Sequence, residues 1–310
     1  MDGILVYFSI YPSYCGVFLH FQNITHIIIT MSEQKPGSLI HTLTKWFVPI
    51  AALIALAGWI YIAPPGLMGK LDAIGYAVCH RLDTHSLHIG NIQMPLCARC
   101  TGEFNAAAIT LVFQGFVSRK RSKLPNRGIL AVLVIFFLSF AIDGSNSYLA
   151  LMKTTYPGAF SNIPNFYITD NSARVFTGSA MGIAMAGILF PLYNQSIWRI
   201  PEDQQALKWP QFLLLVGIVL VFDFGMLTQN PLILYPVAIL STLGVLALLS
   251  MVFSIVWIMV MKQDNAFDHI RQLWLPAVAG LTLAFLLILS IDLFRFNITH
   301  TWGGFPGITG

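Results

Sequence analysis

Between positions 79 and 102 the chain reads Cys-His-Arg-Leu-Asp-Thr-His-Ser-Leu-His-Ile-Gly-Asn-Ile-Gln-Met-Pro-Leu-Cys-Ala-Arg-Cys-Thr-Gly, a segment that holds three of its four cysteines. Cys97 and Cys100 form a C-x-x-C pair, and Cys79, followed by His80, lies 18 residues upstream of Cys97. Three chemistries suit this pattern. A C-x-x-C pair offers two thiolates to one ion, and Cys79 with His80 completes a four-ligand set for zinc or a copper ion, with His85 or His88 as substitutes for His80. Adjacent Cys79 and His80 depart from the spaced pairs usual at both ends of a zinc signature. Alternatively, Cys97 and Cys100 stand where a helix should begin. There the helix dipole and Arg99 favour thiolate, as thiol–disulfide exchange with Cys79 requires. The third chemistry is a single structural disulfide with one cysteine left over. All three remain open at this level.

Other residues supply charge. Arg81 and Arg99 carry guanidinium forks that suit a carboxylate or phosphate, which would make the segment an anion or lipid-headgroup site. His85 and His88 are spaced to share a helix face. Glu103, Asp143, Arg174, Asp223 and Asp292 fall inside or at the ends of apolar runs, where an ionisable group is functional by default unless it reaches water. Polar turns flank Asp143 and Arg174 (Asn171 among them), and an Asp143–Arg174 ion pair is the specific expectation. Asp292, three residues before Arg295, reads instead as an interfacial, hydrated group.

The elements that must position these residues are membrane helices. Hydrophobic residues make up 56% of the 310 and charged residues 10%, far below the roughly 25% of a soluble domain. Such an excess of apolar surface belongs in a lipid bilayer, where only structures that satisfy their own backbone are stable. The expected fold is an all-α transmembrane bundle of about seven spans, near Thr44–Ala63, Thr101–Val117, Gly128–Ala150, Ser172–Gln195, Pro210–Thr228, Pro231–Met261 and Gln272–Phe294. The net charge of +4 comes without a phosphate loop, zinc-finger spacing or an aromatic-laced basic stripe, so nucleic acid is not an expected partner.

Arg119, Lys120, Arg121, Lys123 and Arg127 mark the loop after the second span as cytoplasmic. With seven spans this puts the N-terminus inside, the C-terminus outside and the cysteine segment on the outer face. Residues 1–30 read as an extension ahead of a start at Met31, with an eighth span as the alternative. Residues 31–63 then form a leader and first span, 64–195 the cysteine loop with spans two to four, and 196–310 the last three spans.

Cys79-His80-Arg81, Ser86 and Pro95-Leu96-Cys97-Ala98-Arg99-Cys100-Thr101-Gly102, with Asp143-Gly144 and the Asn171, Arg174, Thr177, Gly178 pattern, resemble the domain-of-unknown-function family 2085. The resemblance covers about residues 70–195 and implies a small membrane protein of a prokaryotic plasma membrane, of uncharacterised function. His85 departs from the family pattern, which has Arg before the Ser, and so does Glu103 after Thr-Gly.

The functional expectation is a metal or thiol-redox site of Cys79, His80, Cys97 and Cys100, with Arg81, Arg99, Asp143, Asn171 and Arg174 orienting a ligand. Whether the chain is an enzyme is not fixed by its sequence; a membrane oxidoreductase or thiol-redox partner is the class that would fit. The alternative is a small transporter or a lipid- or anion-binding module in which the cysteines only brace the loop. An accessory subunit without chemistry is a third reading.

Overall fold

Long apolar runs in this chain fold as helices because a helix closes its backbone hydrogen bonds within itself. The computed structural model describes residues 38–303 except 157, 159 and 161, so the Met31 start and the alternative eighth span lie outside the described residues. Eight α-helices are described: α1 Ser38–Ile62, α2 Gly66–Val78, α3 Ala98–Val117, α4 Arg127–Thr155, α5 Asn171–Ile197, α6 Trp209–Leu227, α7 Pro231–Val260 and α8 Trp274–Thr299. Two small sheets join them. β1 Ser86–Ile89 pairs antiparallel with β2 Ile92–Cys97, and β3 Arg121–Lys123 pairs parallel with β4 Glu202–Gln205. By contacts the chain falls into a unit ending at Trp46, in which Leu43 and Trp46 are exposed, and a body from Phe47 onward.

Helix starts follow local chemistry. The side chains of Asn126, Asp170 and Asn230 accept the N–H of Ile129, Ala173 and Leu232 at 2.9, 2.8 and 3.0 Å. Each thereby satisfies a donor that the first turn leaves open.

Among the described residues six helices are long and apolar enough to cross a membrane, not seven, and the missing one is α3. The reason is its content: Arg99, Thr101, Glu103, Asn105, Thr110 and Gln114 interrupt the apolar run. Such a composition is tolerable because α3 faces protein. Gly102 lies against Val175 and Ser179, Gly182 against Glu103 and Ala107, and Gly244 against Phe104 and Ala108. The first two contacts advance together along both chains, so α3 and α5 run side by side in one direction. A methyl group on Gly178 would fall on the Arg99 carbonyl, 2.9 Å from its carbon and 3.1 Å from the Glu103 nitrogen. Small residues let helix backbones approach this closely in membrane bundles. At its far end α3 reaches Ser118, which donates to the Ala206 carbonyl, close to the basic loop. Thus α3 runs from the cysteine hairpin at one end of the bundle to the basic loop at the other.

At that basic-loop end Lys123 meets Asp203 at 2.7 Å and Arg199 meets Asp268 at 2.9 Å. At the opposite end, residues 63–97 fold into α2, a 3₁₀ turn and the β1–β2 hairpin. The expectation that His85 and His88 share a helix face fails here: His85 ends the 3₁₀ turn and His88 lies on β1.

Candidate metal centre

Cys79 caps the C-terminus of α2, its N–H bonded to the Gly75 carbonyl at 2.9 Å. Gly75 leaves no room for a side chain, because a Cβ there would meet the Pro95 backbone, and so α2 packs directly on β2. Two residues on, Arg81 takes a left-handed backbone, φ 54°. That conformation costs a non-glycine residue roughly 1–2 kcal/mol. It turns the Arg81 N–H back to the Cys79 Sγ at 3.4 Å, and the Cys97 N–H reaches the same sulfur at 3.3 Å. The Arg81 side chain holds the turn in place through Asp72 Oδ1 at 2.9 Å and the Trp302 carbonyl at 3.0 Å. Burial pushes the Asp72 carboxyl above its ordinary range, although Arg81 opposes it.

Cys97 is the N-cap of α3 and Cys100 lies in its first turn. The hairpin therefore brings all three sulfurs together, each within 4.8 Å of the others. All three are free thiols. Hydrogen bonds from the Cys100 and Cys97 thiols hold Cys79 well below the usual thiol range, against the effect of burial. Cys97 is pulled down by Cys100, but its bond to Cys79 and its burial push it up on balance. The trio thus places one anion-favouring sulfur, fed by two backbone N–H groups, above a helix N-terminus.

The donor set fits a soft or borderline ion. Tetrahedral zinc with bonds of ~2.3 Å holds its sulfurs about 3.8 Å apart, inside the spread seen here. His80 Nδ1 lies 3.8 Å from Cys79 Sγ, at the edge of the trio, and also accepts the Leu82 N–H at 3.4 Å. Coordination by that nitrogen would exchange this weak bond for one to the ion. The His80 ring stacks near that of His85, centroids 5.6 Å apart. Burial, then the charges of Arg174 and His80, push the His85 pKa down to about 4. His88 turns away to Asp83 at 2.9 Å, where Asp83 is exposed and His88 half-buried.

A polar layer adjoins the trio. Arg99 grips the fully buried Asp143 through Nε at 3.1 Å and through Nη2, which also reaches the Asp143 carbonyl at 3.2 Å. Tyr167 and Thr177 donate to the same carboxylate at 2.6 and 3.1 Å. The expected Asp143–Arg174 pair is therefore not formed. Arg174 instead bonds Ser147 and Asn171, because the glycine seam sets Arg99 beside Asp143 and leaves Arg174 one turn of α4 further on.

Two residues of α8 also correct the sequence reading. Asp292 is 1% exposed rather than hydrated, and neither carboxylate oxygen has a hydrogen-bond partner among the described residues. Arg295, also buried, donates to the backbone carbonyls of Tyr76, Cys79 (2.6 Å) and His80 (3.2 Å), and stacks over the Tyr76 ring at 3.9 Å. It clamps the segment that carries the first cysteine. Its one sequence signal was a cation near the end of an apolar span, which reads equally well as an interfacial group. Glu103, half-buried, makes no hydrogen bond among the described residues. Asp223 accepts from Ser179 at 2.6 Å and lines a 220 Å³ crevice with Phe136, Phe176 and Val219, apart from the trio.

No solved structure matches the chain. A relative is an uncharacterised protein of Methanocaldococcus jannaschii, 22% identical over 130 residues, which cover 42% of this chain and 72% of that protein. Residues 79–188, from the first cysteine of the trio into α5, match the DUF2085 family, described as a predicted membrane protein.

Proposed function

We propose that this multi-pass membrane protein holds a zinc or copper ion at Cys79, Cys97 and Cys100, with His80 as the fourth ligand. The observation that carries the reading is the convergence of three free thiols within 4.8 Å across a gap in sequence that a hairpin must close. Two cysteines would serve a disulfide equally well; a third at the same point favours an ion. When bound, the metal would supply either a fixed structural cross-link or a Lewis-acid or redox centre. The chain's own residues supply the rest. Backbone N–H groups of Arg81 and Cys97 stabilise the Cys79 thiolate, Arg295 fixes the backbone of Cys79 and His80, and the Arg99–Asp143 pair ties the first turn of α3 to α4.

The close α3–α5 seam favours a rigid mount over the rocking of helix bundles that transport requires. The basic loop at the far end supports an outward-facing cysteine end in a prokaryotic plasma membrane, with the C-terminus outside. The test is metal content and free-thiol count on the full chain purified in mild detergent. Near-stoichiometric zinc or copper, lost in the Cys97→Ser/Cys100→Ser variant while that variant still assembles, supports the reading. A metal-free protein with a reversible disulfide replaces it with thiol exchange.

A further inference from the structure

Arg174 is a buried cation, 7% exposed, whose partners among the described residues are all neutral. Its Nε and Nη2 donate to Ser147 Oγ at 3.3 and 3.1 Å, and its Nη1 to Asn171 Oδ1 at 2.8 Å. A guanidinium carries five N–H donors. Three are used, so one on each terminal nitrogen has no acceptor among the described residues. Arg99, 14% exposed, spends Nε and Nη2 on Asp143 and leaves Nη1 without an acceptor among those residues. Asp143 and Ser147 are four residues apart on α4, a rise of about 6 Å. The two guanidiniums therefore stand one helical turn apart on one side of α4.

A third donor comes from the 3₁₀ turn before the hairpin. Asn171 holds the Arg174 fork with its oxygen and, with its nitrogen, the carbonyls of Thr84 (3.4 Å) and Ser86 (3.2 Å) on either side of His85. The half-buried His85 ring has no hydrogen bond among the described residues. Three anionic side chains belong to the surroundings. Asp143 is already bonded to Arg99, Tyr167 and Thr177, Asp170 is exposed at the α5 N-cap, and Glu103 lies one turn along α3 from Arg99. The thiols of Cys79 and Cys97 border the same region. Arg81 is not part of it, since its fork is taken by Asp72 and Trp302.

A buried charge with no direct ion pair among the described residues is expensive, and unused guanidinium donors suit the paired oxygens of an oxyanion. We propose that Arg174, Arg99 and His85 bind a small oxyanion, a phosphate or carboxylate group, beside the cysteine trio, with Ser147 and Asn171 fixing the Arg174 fork. The group is carried by a free anion or by a lipid headgroup. The inference stands apart from the metal reading, because none of its donors is one of the four metal ligands.

The test uses the full chain in mild detergent and follows its thermal unfolding against inorganic phosphate, against acetate, and in mixed micelles with phosphatidylglycerol. Wild-type protein is stabilised by phosphate or by phosphatidylglycerol. Arg174→Lys, which keeps the charge but loses the fork, and His85→Asn, in a half-buried loop, each weaken that response about tenfold. The response survives in Cys97→Ser, which separates it from metal binding. Stabilisation by phosphatidylglycerol that phosphate competes away identifies a lipid headgroup, and stabilisation by the free anions alone identifies a soluble ligand. A wild type indifferent to all three additives, or an undiminished response in His85→Asn, overturns the proposal.

Discussion

Adding one methyl group at Gly178 should damage the cysteine site through the Arg99 backbone, which lies between Cys97 and Cys100. The position is where α5 touches the backbone of α3: a Cβ would fall on the Arg99 carbonyl, 2.9 Å from its carbon and 3.1 Å from the Glu103 nitrogen. Neither neighbour is a flexible side-chain end, so the two helix backbones themselves must separate. Overpacking of this kind costs about 1–3 kcal/mol, against which the better helix propensity of alanine returns up to ~1 kcal/mol. The shift also moves Arg174 and Thr177 on α5 relative to Arg99, Cys97 and Cys100 on α3. Gly178→Ala should therefore lower the unfolding midpoint in detergent and weaken zinc binding together. Gly217→Ala, where a Cβ meets nothing within 4 Å, is the control and should be neutral or slightly stabilising. Equal midpoints and equal zinc affinities for the two variants would refute the claim that the seam mounts the site.

Asp143→Asn leaves the largely buried Arg99 without its counter-charge, so it should cost about 3–5 kcal/mol of stability, read as a drop in unfolding midpoint. Arg295→Gln frees the Cys79 and His80 carbonyls without touching a ligand. It should reduce zinc affinity by about 10–100-fold while the chain still inserts and assembles, and unchanged affinity would remove Arg295 from the site. Zinc binding should release protons, because Cys97, pushed up by its bond to Cys79 and by burial, must lose its proton while Cys79 is already held low. Affinity should accordingly rise with pH, and calorimetry in buffers of different ionisation enthalpy should show the release; an affinity independent of pH contradicts it.

The helices were legible from the sequence because lipid imposes long apolar windows, and every expected span has a helix within a few residues of its place. Composition misjudges α3, since a helix enclosed by α5 and α7 need not be apolar where it meets protein. The cysteines were legible as residue types, but their convergence depends on the β1–β2 hairpin and on Gly75 admitting Pro95, and neither leaves a periodic trace. The partner of Asp143 was misassigned because Arg99 and Arg174 were both available to it, and the choice is made by glycine contacts between helices distant in sequence. Asp292 looked interfacial because it stands near the end of a span, whereas helix packing distant in sequence buries it.

The most direct test of the metal centre is X-ray absorption on the full chain loaded with one equivalent of zinc in mild detergent. Three sulfur neighbours at about 2.3 Å and one nitrogen at about 2.0 Å are expected, with the nitrogen lost in His80→Ala and sulfurs lost in Cys97→Ser/Cys100→Ser. A zinc shell of oxygen and nitrogen alone, or zinc removed by a brief desalting step, would contradict it.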